Sequence, residues 1–103
     1  MAKVKITVVK RLDLNEVHRD SDLGCTFSLD PVCPRFVEGQ KFLYEGGKVP
    51  EGFCPGAFVD IFRAIGELRF GANHPWVKRP GKTLSCCTDG FRPVVFRLER
   101  IEE

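Results

Sequence analysis

The chain is expected to fold as a small α+β domain, an antiparallel sheet or partly open barrel packed against one main amphipathic helix. Three observations predict this. Lys3 to Arg11 and Val94 to Ile101 alternate apolar and polar residues with the period of a half-buried strand. Between them, Phe58, Ile61, Phe62, Ile65 and Leu68 recur at helical spacing. The length of 103 residues suits one domain, 1–103, built around one core.

In the first strand Val4, Ile6 and Val8 alternate with Lys3, Lys5 and Thr7. Leu12 to Asp30 is polar, with Asp20, Ser21, Asp22 and Gly24 marking loop and a short helical turn over Leu14 to Arg19 capped by Asn15. Cys25 falls in this weakly patterned stretch. Cys33-Pro34 forms a bend, because proline disfavours helix at the residue before it. Lys41 to Tyr44 reads as a strand, followed by turns at Glu45-Gly46-Gly47 and at Val49 to Gly52. The main helix spans about Gly56 to Arg69, with Pro55 at its first position and Cys54 as N-cap. Asp60, Arg63 and Glu67 take its solvent side, Arg63 and Glu67 as an i,i+4 pair, and Gly71 ends it. A loop from Gly71 to Gly81 holds His74 and Trp76. A short strand over Thr83 to Cys87, an Asp89-Gly90 turn and the Val94 to Ile101 strand complete the chain.

Sixteen basic and 14 acidic residues give a formal net charge of +2. That balance, with basic residues scattered along the chain, argues against nucleic acid as a partner. No run approaches the roughly 18 apolar residues of a membrane span. The apolar run Ile6 to Val9 is too short for a signal peptide and is followed by Lys10 and Arg11. The expected location is cytoplasmic, where stable disulfides are rare, so the cysteines read as thiols, redox groups or metal ligands. Nine phenylalanines against one tyrosine and one tryptophan point to a core rich in aromatic rings, with Trp76 among its anchors.

The cysteines carry the functional signal. Cys33 and Cys54 each precede proline, and Cys86 and Cys87 are adjacent in Cys86-Cys87-Thr88-Asp89-Gly90. No paired C-x-x-C knuckle of a zinc ribbon is present, so a shared centre must be assembled by the fold from three distant segments. Cys54 at a helix N-cap faces the positive end of the helix dipole, which favours a thiolate. The Cys-Pro step also closes the bacterial ferredoxin ligand run. Adjacent thiolates converge on a cluster more readily than on one small zinc ion. The competing reading is that each thiol packs as a small hydrophobe or that Cys86 and Cys87 form a strained vicinal disulfide. Cys33-Pro34-Arg35-Phe36-Val37-Glu38 also weakly echoes the segment from Cys54-Pro55 to Asp60, as if both began helical turns.

These residues resemble a small, functionally uncharacterised prokaryotic family of about this length, recognised by four cysteines. The matching stretches are Lys3 to Val8, Cys33-Pro34 with Gly39-Gln40 and Phe42, Pro50-Glu51-Gly52-Phe53-Cys54-Pro55 and Asp60-Ile61. They continue with Phe70-Gly71, Asn73, Pro75-Trp76, Cys86 to Gly90 and Arg92-Pro93-Val94. The resemblance covers nearly the whole chain apart from about Asp13 to Asp30. It implies that Cys33, Cys54, Cys86 and Cys87 are the family's four cysteines, and it implies no activity. In similar sequences the positions of Gly56 and Phe58 are often tryptophan, and this chain departs from them there.

Three functions stay open. The first is a small cytosolic metalloprotein in which Cys33, Cys54, Cys86 and Cys87 hold an iron–sulfur cluster, with zinc next, for electron transfer, redox sensing or support of a partner enzyme. The second is a thiol enzyme or thiol-redox protein with Cys54 as nucleophile and Cys86 or Cys87 resolving. The third is a ligand-binding or interaction module without cofactor, in which the thiols pack. Partners are then a redox protein or, in a homo-oligomer, a second copy sharing the centre. His74, Thr88, Asp89 and Arg92 are candidate polar contacts. Their simpler readings are a hydrogen-bonded loop histidine, a hairpin turn and a surface charge. No Ser-His-Asp order, P-loop or dinucleotide fingerprint occurs.

Overall fold

The computed structural model describes residues 2–18 and 31–101. Cys25, the Asp20 to Gly24 loop and the His18 side chain lie outside the described residues. The elements are β1 (Lys3–Arg11), α1 (Leu14–His18), β2 (Lys41–Tyr44), α2 (Pro55–Arg69), β3 (Lys82–Cys86) and β4 (Val94–Ile101). The strands form one antiparallel sheet in the order β2-β1-β4-β3. β2 and β3 are its edges, so of the two expected arrangements the sheet is open. No helix among the described residues is long and apolar enough to cross a membrane.

The alternation in β1 does what its period requires. Val4, Ile6 and Val8 are buried, with Val94, Phe96 and Leu98 of β4 beside them. α2 covers this face with Ala57, Phe58, Ile61, Ile65 and Leu68. Phe62, expected on the same face, is 49% exposed, and Trp76, expected as a core anchor, is 76% exposed. The buried rings come from elsewhere. Phe36, Phe53 and Phe96 form a triangle with centroid separations of 5.1, 5.2 and 5.3 Å, and Phe42 packs edge-on against Phe36 and Phe53.

A register shift between Val8 and Lys10 changes the phase of β1. Val9 is pushed into solvent, and Arg11 comes to lie opposite the fully buried Val94. Arg11 Nη1 therefore reaches the chain after α1 and donates to the carbonyls of Cys33 at 3.1 Å and Phe36 at 2.8 Å. Its Nε and Nη2 pair with Glu38 at 3.0 Å. The guanidinium beside Glu38 holds that carboxyl below its ordinary value.

α1 is capped by Asp13 rather than Asn15. The Asn15 amide donates to Asp13 Oδ1 at 2.7 Å, and Glu16 Oε1 accepts from the Asp13 amide at 3.1 Å, a reciprocal capping box. α2 ends as expected at Gly71, whose φ is +92°. The Gly71 and Ala72 amides donate to the Leu68 and Glu67 carbonyls, the paired bonds of a Schellman motif. Arg100 of β4 closes the same end, with Nη1 bonding the Leu68 and Ala72 carbonyls at 3.0 and 2.9 Å.

The ring triangle makes a stability prediction. Phe53→Ala removes a 3% exposed ring from its centre and should cost about 3–5 kcal/mol in urea unfolding. Val59→Ala, at a site 74% exposed on α2, should stay within about 0.5 kcal/mol of the parent. Equal losses in the two variants would contradict this core.

Candidate functional site

Three of the four singled-out cysteines line one cleft. Cys33, Cys54 and Cys87 share a half-enclosed cavity of about 280 Å³ with Asp60, Asp89 and Arg92, over a floor that includes Phe36, Ala57 and Val94. All three thiols are half-buried and pack against the core. Each is held by a separate device. Cys33 follows from the Arg11 bond to its carbonyl. Cys54 is the residue before α2, with φ −65° and ψ 121°, and Pro55 takes the first helical position as expected. No side-chain bond caps the helix there, so the Cys54 thiol is not consumed in capping.

Cys87 and Cys86 part company at the end of β3. Cys86 pairs with Val95, and the next residue, Cys87, donates its amide to the carbonyl of buried Val94 at 3.0 Å. Successive side chains on a strand point to opposite faces. Cys87 therefore turns to the core face and into the cleft, while Cys86 is exposed and outside it. The four-thiol set expected from the sequence is divided three to one. Similarly, only Cys54 of the two echoing Cys-Pro segments starts a helix; Cys33-Pro34 enters a non-helical turn.

Backbone donors face the Cys87 sulfur, with the Val94 amide 3.2 Å away. Burial pushes the Cys87 thiol above its ordinary value, the Asp89 and Val94 amides pull it down, and the charges of Asp89 and Cys33 add to the rise.

The polar candidates separate in the same way. Thr88 lines the cleft and ties the β3–β4 loop to α2: its amide and Oγ1 donate to the Asp60 carboxylate at 2.8 and 3.0 Å. Asp89 lines the cleft and makes a local turn, with Oδ1 accepting from the Phe91 and Arg92 amides. Arg92 also lines it. His74 does not. Its Nδ1 meets Thr83 Oγ1 at 2.7 Å and its Nε2 meets Glu67 at 3.1 Å. That makes it the hydrogen-bonded loop histidine of the simpler reading, and Glu67 bonds His74 rather than the expected Arg63. The residues missed in the sequence are Arg11 and Asp60. Asp60 has the helical phase of a solvent-side residue, and the signal for Arg11 is a bulge that no residue pattern marks.

Among the described residues, no group of three or more His, Cys, Asp or Glu side chains is gathered tightly enough to hold a metal ion as it stands. The cleft is a set of thiol-bearing walls around a space rather than a closed ligand cage.

The raised Cys87 value sets a pH dependence. In metal-free protein, alkylation followed residue by residue by mass spectrometry should label exposed Cys86 first and Cys87 only at higher pH. A proton held more tightly in the folded chain stabilises it below the ordinary thiol value, and that contribution is lost as pH rises through the raised one. Alkaline unfolding should therefore be less steep in Cys87→Ala. Labelling of Cys87 with the midpoint of a free thiol would contradict the burial. In comparisons with known protein families, curated proteins and solved structures, the chain matches none.

Proposed function

We propose that the protein is a small cytoplasmic metalloprotein whose thiol cleft holds an iron–sulfur cluster through Cys33, Cys54 and Cys87. The observation that carries this reading is the presence of three half-buried thiols from three separate segments on the walls of one cavity of about 280 Å³. Zinc is the weaker fit. With Zn–S bonds of about 2.3 Å, a single zinc ion needs its tetrahedral thiolates about 3.8 Å apart. A cluster is larger and is met by thiolates spaced further apart. The Val94 amide directed at the Cys87 sulfur is the kind of donor that tunes a cluster's potential.

Three protein thiolates leave one iron for another ligand. Asp60 and Asp89 are engaged with Thr88 and with the 91–92 amides, which favours a ligand from outside the chain. A cluster so held would pass single electrons, with a redox protein as partner. The resemblance to a four-cysteine family supports a thiol site, and the exposed position of Cys86 outside the cleft favours three members over four. A second reading rests on the same cleft, which Cys54 and Cys87 both line while Cys86 does not: a thiol-redox protein in which Cys54 and Cys87 oxidise to a disulfide. Its mark is loss of two hydrogens confined to that pair after mild oxidation.

The test is anaerobic reconstitution with iron and sulfide, followed by metal and sulfide analysis and visible and electron-paramagnetic spectra. Stoichiometric iron and sulfide are expected in the parent and in Cys86→Ala, and loss of both in Cys33→Ala, Cys54→Ala and Cys87→Ala. A colourless protein without stoichiometric iron or sulfide would overturn the cluster. Loss in Cys86→Ala equal to that in the others would restore the four-thiol set.

A further inference from the structure

A second cleft, of about 500 Å³, is lined by Trp76, Lys78, Arg79, Lys82, Leu84 and Arg97 among others, with no carboxylate on its walls. We propose that it binds nucleotide units, the chemistry shared by a free nucleotide and a single strand of nucleic acid, with Trp76 stacking on a base and the four cations meeting phosphate. The site is independent of the thiol cleft and of any metal there.

The indole is a prepared platform. Trp76 is 76% exposed and lies stacked on the His74 ring at 4.7 Å between centroids. His74 is itself held at both ring nitrogens by Thr83 and Glu67. The loop is anchored further: Asn73 Oδ1 accepts from the Gly81 amide at 2.7 Å and from Arg100 at 2.9 Å, and the Val77 amide donates to the His74 carbonyl. A fixed aromatic ring in water beside cations is the pattern that receives a base and its phosphate, because every base has a π-face and the backbone charge is neutralised by Lys and Arg. The volume lies within the roughly 300–1,000 Å³ of small-molecule sites.

The charge is compensated only in part. Lys82 and Arg97 share the single carboxylate of Glu99 with Lys5. Among the described residues, Lys78 and Arg79 have no ion-pair partner. A net charge of only +2 and basic residues scattered along the sequence argue against nucleic acid. The fold answers the scatter by bringing residues 78, 79, 82 and 97 to one cleft, where Arg97 lies opposite Leu84 across the β3–β4 pair.

Trp76 is the sole tryptophan, so its emission reports on this site directly. Adenosine monophosphate, an oligothymidylate of about twelve nucleotides and inorganic tripolyphosphate are titrated at low salt. Saturable change of the emission by the first two is expected. Saturation by the monophosphate alone identifies a free nucleotide; affinity that grows with strand length and falls with salt identifies a strand. Binding of a labelled oligothymidylate or labelled nucleotide, whichever the parent takes, should weaken about tenfold in Trp76→Ala and at least as much in Lys78→Glu with Arg79→Glu. The proposal is overturned if neither the nucleotide nor the oligonucleotide changes the emission. It is equally overturned if tripolyphosphate binds as tightly as they do and Trp76→Ala leaves the affinity unchanged.

Discussion

The packing of Phe36, Phe53 and Phe96 is the constraint on which the thiol cleft depends. Each ring lies close in sequence to one wall of it. Phe36 is three residues past Cys33, Phe53 directly precedes Cys54, and Phe96 is two residues past Val94, whose backbone pairs with Cys87. The ring centroids sit about equally far from one another. Two of the contacts are edge-to-face and the Phe53–Phe96 contact is tilted; at such distances they add to the burial of the rings. Three chain segments that have no regular pairing with one another are thereby brought to a common point. The backbone positions of the thiols follow from a hydrophobic contact rather than from any bond between the thiols.

Two features of sheet geometry then decide which side chains arrive. The bulge in β1 turns Arg11 toward the core face, where it bonds the carbonyls of Cys33 and Phe36. Without the shift, the alternation that buries Val4, Ile6 and Val8 would place Lys10 there instead. At the other wall, simple strand alternation divides Cys86 from Cys87. An adjacent pair cannot direct both thiols into one cleft while the alternation of the strand continues through it. β3 ends at Cys86, but the Cys87 amide still bonds the Val94 carbonyl, so the alternation carries on one residue further and Cys87 keeps the core-facing phase.

Period, capping and turn chemistry made most of the fold legible. The spans of β1, β2 and β4 coincide with the expected ones, and α2 differs by one residue because Pro55 opens it. These are local properties, written in alternation, in Cys54-Pro55 and in Gly71. The site was only partly legible because convergence is not local. Cys33, Cys54 and Cys87 were singled out by proline bends and a turn, yet Cys86 carried the same local marks as Cys87 and was separated by strand phase alone. Asp60 read as solvent-facing from the helix period, and its bond to Thr88 depends on where the β3–β4 loop crosses α2. Trp76 read as a core anchor from its size, but smaller rings already fill the core, leaving the indole stacked on His74 at the surface.

Charge shows the same dependence on the third dimension. A net charge of +2 averages over a surface on which like charges are unevenly placed. Glu99 is only 16% exposed at its side chain and sits among Lys5, Lys82 and Arg97, so one carboxylate serves three cations on the uncovered face of the sheet. Each pair contributes little by itself near the surface, and three cations around one carboxylate leave the local charge positive. On the covered face, by contrast, Arg11 and Arg100 spend their guanidinium groups on backbone carbonyls, at the Cys33 segment and at the end of α2. The sheet thus puts its cations to two uses: on one side they bind the chain to itself, at the Cys33 segment beside the thiol cleft and at the far end of α2, and on the other Lys82 and Arg97 share one carboxylate where they line the Trp76 cleft.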